Sequence, residues 1–220
     1  MLKAVIFDCW HTVFYKDVVK SPYTQIAERM GLVRDYDFVK ILEKSLELEK
    51  ITAEELPLKL KNLLNDFRID SETGLVRDLT EILCMDLAGY YKPCPGALET
   101  LETLKAQGLL LGLISNSSNI EFDPLENNLG LKDIFDALIV SYRVGLLKPD
   151  PRIFELALAK LNVEAGEALM VGDTLQDDIL PAQKLGMKTL LYDTRHRYPE
   201  YPERIFSLED IPKLIKKYEH

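Results

Sequence analysis

Basic charge, cysteine and long apolar runs are all scarce in this 220-residue sequence, and each shortage closes off a class of protein. Lys and Arg number 27 against 36 Asp and Glu, a formal net charge of -9, and the basic residues are scattered rather than gathered into runs. Such a surface repels a phosphate backbone, so no nucleic-acid partner is expected. The three cysteines, Cys9, Cys84 and Cys94, form no short metal-ligand spacing, and their odd number suits a reducing compartment better than a disulfide framework. All three read as buried or half-buried thiols. Apolar residues nowhere run far enough to cross a bilayer, and Met1 leads straight into a strand pattern. The expectation is a soluble, cytoplasmic protein with no membrane partner.

What is present is enough apolar content, 47%, for a packed core. Short continuous apolar runs recur at Ala4 to Phe7, Leu109 to Ile114, Ala137 to Val140, Ala168 to Val171 and Thr189 to Tyr192. Continuous rather than alternating hydrophobicity suits strands covered on both faces, as in a parallel sheet. Helical spacing lies between the runs. Leu98, Leu101 and Leu104 recur at helical intervals up to Gly108, a residue that readily adopts the helix-ending left-handed conformation. Asp150 and Pro151 read as N-cap and first helical residue, and Pro181, tolerated only in a first turn, places another helix start near Asp178. Alternating strands and helices predict an α/β, doubly wound parallel sheet with a Rossmann-type core.

One stretch interrupts that alternation. Between residues 15 and 90 the pattern is helical throughout, with pieces expected at Tyr23 to Met30, Phe38 to Leu48, Leu58 to Leu64 and Leu75 to Leu87. The expected domains are therefore an α/β core of residues 1–14 and 91–220 and an all-helical insertion of residues 15–90. Beyond residue 195 a loop interrupted by Pro199 and Pro202 precedes a short amphipathic ending, Leu208 to Tyr218.

In an open parallel sheet ligands bind beyond the carboxyl ends of the strands, so the residues after each apolar run carry the candidate chemistry. Four clusters lie there: Asp8 to Thr12 (DCWHT), Ser115 to Ser118 (SNSS), Lys148 to Pro151 (KPDP) and Gly172 to Asp178 (GDTLQDD). In order and placement they resemble the four motifs of the haloacid dehalogenase superfamily, over residues 1–14 and 91–194. The helical insertion is similar in position and length to the cap of many members.

The resemblance implies a hydrolase with Asp8 as covalent nucleophile, because a carboxylate can split one hard displacement into two easier ones. It implies Mg²⁺ held by Asp8, the backbone carbonyl of Trp10 and Asp173, with Asp177 or Asp178 completing the shell; Asp178 also suits a helix start. Lys148 would hold nucleophile and phosphoryl oxygens together, Ser115 and the backbone amide of Asn116 would donate to the same oxygens, Trp10 would line the substrate site with them, and Thr12 would support the loop. The implied substrate is a small phosphorylated metabolite.

Two positions depart from the pattern. Phosphatases of this superfamily carry a second Asp, the general acid and base, where this chain has Trp10, and an indole accepts no proton. The next position, usually Gly, is His11, whose imidazole either supplies proton chemistry or turns away from the cleft. The 2-haloacid dehalogenases carry an aromatic residue at the Trp10 position but lack the carboxylate that Asp173 represents. The acids at 173, 177 and 178 would repel Asp8 unless a cation joined them, which favours the Mg²⁺-dependent phosphatase or phosphotransferase over the dehalogenase and over a non-catalytic binding protein. Within the insertion, Tyr15, Tyr23, Arg29 and Arg34 are candidate specificity residues, each with an ordinary core or surface role as the alternative.

Overall fold

The computed structural model describes residues 1–31, 37–71, 73–85 and 90–218. Its strands are β1 (Ala4–Asp8), β2 (Phe14–Lys16), β3 (Tyr91–Pro93), β4 (Leu110–Ser115), β5 (Ala137–Val140), β6 (Ala168–Gly172), β7 (Lys188–Tyr192) and β8 (Arg204–Ile205). Six of them form one sheet in the order β5-β4-β1-β6-β7-β8, every neighbour parallel. The chain enters at the centre on β1 and later builds outward on both sides. The strand order therefore reverses beside β1, and a crevice opens at its carboxyl end.

The continuous apolar runs have a direct structural cause, since alternate side chains of each strand enter different cores. Val5 and Phe7 of β1 face one layer with Leu101 and Leu104 of α5 (Ala97–Ala106), Phe122 and Leu125 of α6 (Asn119–Leu129) and Leu131 of the short α7 (Leu131–Ile134). Ala4 and Ile6 face the other. That second layer holds Ile153, Phe154 and Ala157 of α9 (Pro151–Leu161) and Ala182 of α10 (Leu180–Lys184), while α8 (Ser141–Val144) caps the end of β5. Asp150 caps α9 as expected, its carboxylate accepting from the Arg152 amide at 3.0 Å.

Several expectations shift. Leu98 is exposed, and α5 buries Ala97, Thr100, Leu101 and Leu104 instead, because the helix begins right after the left-handed Gly96 and turns Leu98 outward. Cys84 is exposed, since it follows the end of α4 at Leu83, whereas Cys9 and Cys94 are buried. A wide helical turn over Leu175–Ile179 precedes α10, so helical geometry starts before Asp178. The C-terminal stretch is a succession of short turns around α11 (Ile211–Leu214) rather than one amphipathic helix.

The inserted helices α1 (Pro22–Arg29), α2 (Asp37–Glu47), α3 (Leu56–Asp66) and α4 (Thr73–Leu83) share their own core, with Ile26, Leu42, Leu46, Leu60, Leu64 and Leu79 fully enclosed. The end of the expected helix near residue 87 lies outside the described residues, as does Arg34. At the root of this bundle β2 and β3 pair as a two-stranded antiparallel ribbon that the sequence pattern did not suggest. Asn119 at the start of α6 ties the bundle to the core, its side chain accepting from the Ile51 amide at 2.8 Å and donating to the Ile51 carbonyl at 3.0 Å.

Phe154, fully buried between α9 and the sheet, gives a direct test of the second layer. Truncation in Phe154→Ala is expected to lower unfolding free energy by about 3–5 kcal/mol, read as a reduced urea midpoint.

Candidate active site

Asp8 ends the central strand at the crevice, and its carboxylate is held on both oxygens. Lys148 Nζ donates to Oδ1 at 2.6 Å and Thr12 Oγ1 donates to Oδ2 at 2.9 Å. The same ammonium donates to Asp178 Oδ1 at 2.6 Å, so one buried cation joins two buried carboxylates. Asp178 reaches this position because the backbone leaves room. A Cβ on Gly172 would lie 2.4 Å from Asp178 Cγ, so only glycine lets that side chain fold back over the end of β6. The Thr174 amide holds the other Asp178 oxygen at 3.0 Å.

The lysine is itself positioned by a reciprocal pair. The Asn116 amide group donates to the Lys148 carbonyl at 3.0 Å and accepts from the Lys148 amide at 2.8 Å. This use of the Asn116 side chain was not anticipated from sequence. Ser115 is fully buried, its hydroxyl 2.6 Å from that of Ser117, which also accepts the Trp10 indole N–H at 2.6 Å. Trp10 is thereby fixed at the crevice with Tyr91 beside it, ring centroids 5.7 Å apart, and the Lys16 ammonium 4.7 Å from its ring centre.

Electrostatics follow from this enclosure. Burial pushes the Asp8 carboxyl up, Lys148 pulls it back and Asp173 pushes it up again. Burial likewise raises Asp178, to about 6, against the pull of Lys148 and with the push of Asp8. Burial alone would lower the Lys148 ammonium, but Asp178 and Asp8 outweigh it and hold it well above its ordinary value. The lysine therefore stays charged.

Asp173 completes a cluster in which one carboxylate oxygen each of Asp8, Asp173 and Asp178 lies within 4.8 Å of the others. Three hard oxygen donors at that spacing, two of them buried, fit a small divalent cation such as Mg²⁺. The half-buried Asp177 is not part of the cluster. Two arginines that sequence reasoning overlooked stand here. Arg197 donates to Asp173 Oδ2 at 2.7 Å and to its carbonyl at 2.6 Å, and Arg195 lies 3.4 Å from His11 Nδ1. Their loop is organised by the buried Asp193, which accepts the Arg197 and Tyr198 amides. A Pro-interrupted loop far along the chain carried no signal beyond an Asp directly after an apolar run.

His11 has φ +62°, the left-handed conformation natural to the glycine implied at this position. Burial first, and then Arg195, lower its pKa below the ordinary value, and its ring is exposed at the mouth of the crevice. Of the candidate specificity residues, Tyr23 lines a cavity of about 720 Å³ between the helical bundle and the core, together with Trp10 and Asn116. Tyr15 lies in a smaller cavity beside Asp173 and Arg195. Arg29 pairs with Asp78 at 2.6 Å and is not among the residues lining the larger cavity.

This geometry can be set beside known proteins. A profile of haloacid dehalogenase-like hydrolases matches residues 2–186. The chain belongs to that family of hydrolases. The glyceraldehyde 3-phosphate phosphatase of Pyrococcus furiosus is 35% identical over an alignment of 228 positions, gaps included, that covers 99% of this chain and 93% of the relative. Among solved structures, a 2-haloacid dehalogenase from Pseudomonas syringae pv. Tomato superposes with a TM-score of 0.64 at 26% identity, covering 99% of this chain and 100% of that one. A phosphatase of the family from Thermococcus onnurineus gives a TM-score of 0.63 at 24% identity, with 97% and 98% covered, a likeness of fold.

The buried triad of charges makes a pH-dependent prediction. In Lys148→Met the carboxyls of Asp8 and Asp178 lose their shared cation, and a loss of about 3–5 kcal/mol in unfolding free energy near neutral pH is expected. Both carboxyl pKa values would then stand further above those of the unfolded chain, so the folded state binds more protons than the unfolded one. Acidification toward pH of about 5 should therefore recover part of the loss, which denaturant melts across pH will check.

Proposed function

We propose that this hydrolase is a Mg²⁺-dependent phosphatase for a small phosphorylated metabolite, with Asp8 as nucleophile. The observation that carries this reading is the cluster of Asp8, Asp173 and Asp178, two of them joined by Lys148, since a lone nucleophilic carboxylate would need no such partners. The phosphatase names of relatives along the full chain support it. Asp8, Asp173 and Asp178 would hold the dication, which offsets the repulsion between a carboxylate nucleophile and an anionic ester when bound.

The residues themselves account for the rest. A carboxylate oxygen of Asp8 attacks phosphorus, the bond from phosphorus to the ester oxygen breaks, and the alcohol leaves. Water then cleaves the aspartyl-phosphate at phosphorus, releasing phosphate and restoring the carboxylate. Lys148 favours the ionised form of Asp8 against its burial and would meet the phosphoryl oxygens of a bound ester, and Thr12 holds the second oxygen of the carboxylate. The helical bundle beside the crevice, which bounds a cavity of about 720 Å³, limits substrates to small esters.

The departing oxygen needs a proton, and the Trp10 N–H is already given to Ser117. Burial and Arg195 lower the His11 pKa, which disfavours the protonated imidazole that a general acid needs. A positioned acid is worth roughly 10²- to 10⁴-fold, so esters of acidic phenols should turn over that much faster than alkyl esters of equal size.

Phosphate release from an aryl phosphate, measured with Mg²⁺ and with chelator, tests the proposal. Activity should require the metal and vanish in Asp8→Asn. Halide release from a 2-haloacid without metal, and no phosphate release, would contradict it.

A further inference from the structure

The cavity between bundle and core is unusually acidic for a site that receives a phosphate ester. Glu43 and Glu47 of α2 and Glu121 of α6 line it, opposite Lys16 and the Trp10 ring. Lys16 is already committed, because its ammonium pairs with Glu121 and lies over Trp10. Glu28, at the rim, is paired with Lys20 at 2.7 Å, and Lys40 at the same rim is exposed. Glu47 stands apart. It is only 8% exposed, yet it makes no hydrogen bond or ion pair with any described residue. Its carboxylate oxygens open into the cavity rather than being sealed among protein atoms, so their partner comes from whatever enters the cavity.

We infer that this cavity is a cation subsite, and that the ester's alcohol portion carries a protonated amine that docks against Glu47 and Glu43 beside the Trp10 face. The inference rests on the phosphatase reading, since the phosphoryl end of the same molecule would lie at Asp8. An ammonium answers both the missing partner and the excess of acid over base, whereas a hydroxyl answers only the first.

The surroundings also give the subsite a pH dependence. Burial, then the charges of Glu43 and Glu121, push Glu47 up to about 8, against the weaker pull of Lys148 and Lys16, while Tyr23 across the cavity stays neutral. An entering ammonium favours the ionised carboxyl, so amine esters should bind more tightly as pH rises toward about 8. A hydroxyl ester has no such linkage through Glu47.

The test compares kcat/KM for O-phosphoethanolamine and ethylene glycol monophosphate, with an aryl phosphate as a reference, in the wild type and in Glu47→Gln and Glu43→Gln. The amine ester should be preferred by roughly tenfold or more, the preference should grow with pH, and Glu47→Gln should remove most of it. Turnover of the aryl phosphate with equal or better use of the glycol ester would overturn the subsite and leave the phosphatase reading standing. If no phosphate is hydrolysed, the phosphatase reading fails, and calorimetric titration of the wild type decides the subsite. Tighter binding of the amine ester would support it, and equal binding or none would overturn it. Should Glu47→Gln not fold, Glu43→Gln and the wild-type pH dependence carry the same comparison.

Discussion

A single buried ammonium organises this molecule's chemistry. Lys148 lies 2.6 Å from carboxylate oxygens of both Asp8 and Asp178, in a place where burial pushes both acids toward their protonated forms. Breaking such an arrangement is far more costly than its net stabilisation, because it strands charges away from water. The surrounding structure serves that constraint. Asn116 grips both backbone polar groups of Lys148, Gly172 makes room for Asp178, and the central position of β1 brings Asp8 to the crevice.

The partners come from four separate stretches of sequence, and the sheet is what unites them. Because β4 and β6 flank β1 in parallel register, their carboxyl ends open at the same edge as Asp8. The helical bundle then closes the other side, tethered through Asn119 and Ile51 and rooted in the β2 and β3 ribbon. Core and bundle thus divide the work. The core presents the charged cluster of Asp8, Lys148 and Asp178, and the bundle presents a cavity wall of quite different character, with Glu43 and Glu47 lining the same cavity as Trp10.

Much of this was legible in the sequence, for a physical reason. Strands covered on both faces must be continuously apolar, so Ala4 to Phe7 and Ala168 to Val171 announced a parallel sheet, and the polar residues after them announced its working edge. That Asp178 rather than Asp177 joins Asp8 and Asp173 depends on how a wide turn over Leu175–Ile179 directs two adjacent side chains, which sequence spacing does not show. What pattern could not reveal were contacts between distant loops. Arg197 meets Asp173 through a loop held by Asp193, the Asn116 side chain supports the lysine, and Leu98 turns outward because Gly96 sets where its helix begins. The ribbon of β2 and β3 has only three residues in each strand, too short to show a period.

The account's central claim is a transient bond between Asp8 and phosphorus. Acid quenching during turnover of a small phosphomonoester, followed by peptide mass spectrometry, addresses it most directly. One phosphoryl group on the peptide containing Asp8, on Asp8 itself, is the predicted result. Steady turnover with that carboxylate never phosphorylated, or with the phosphoryl group on another residue, would contradict it.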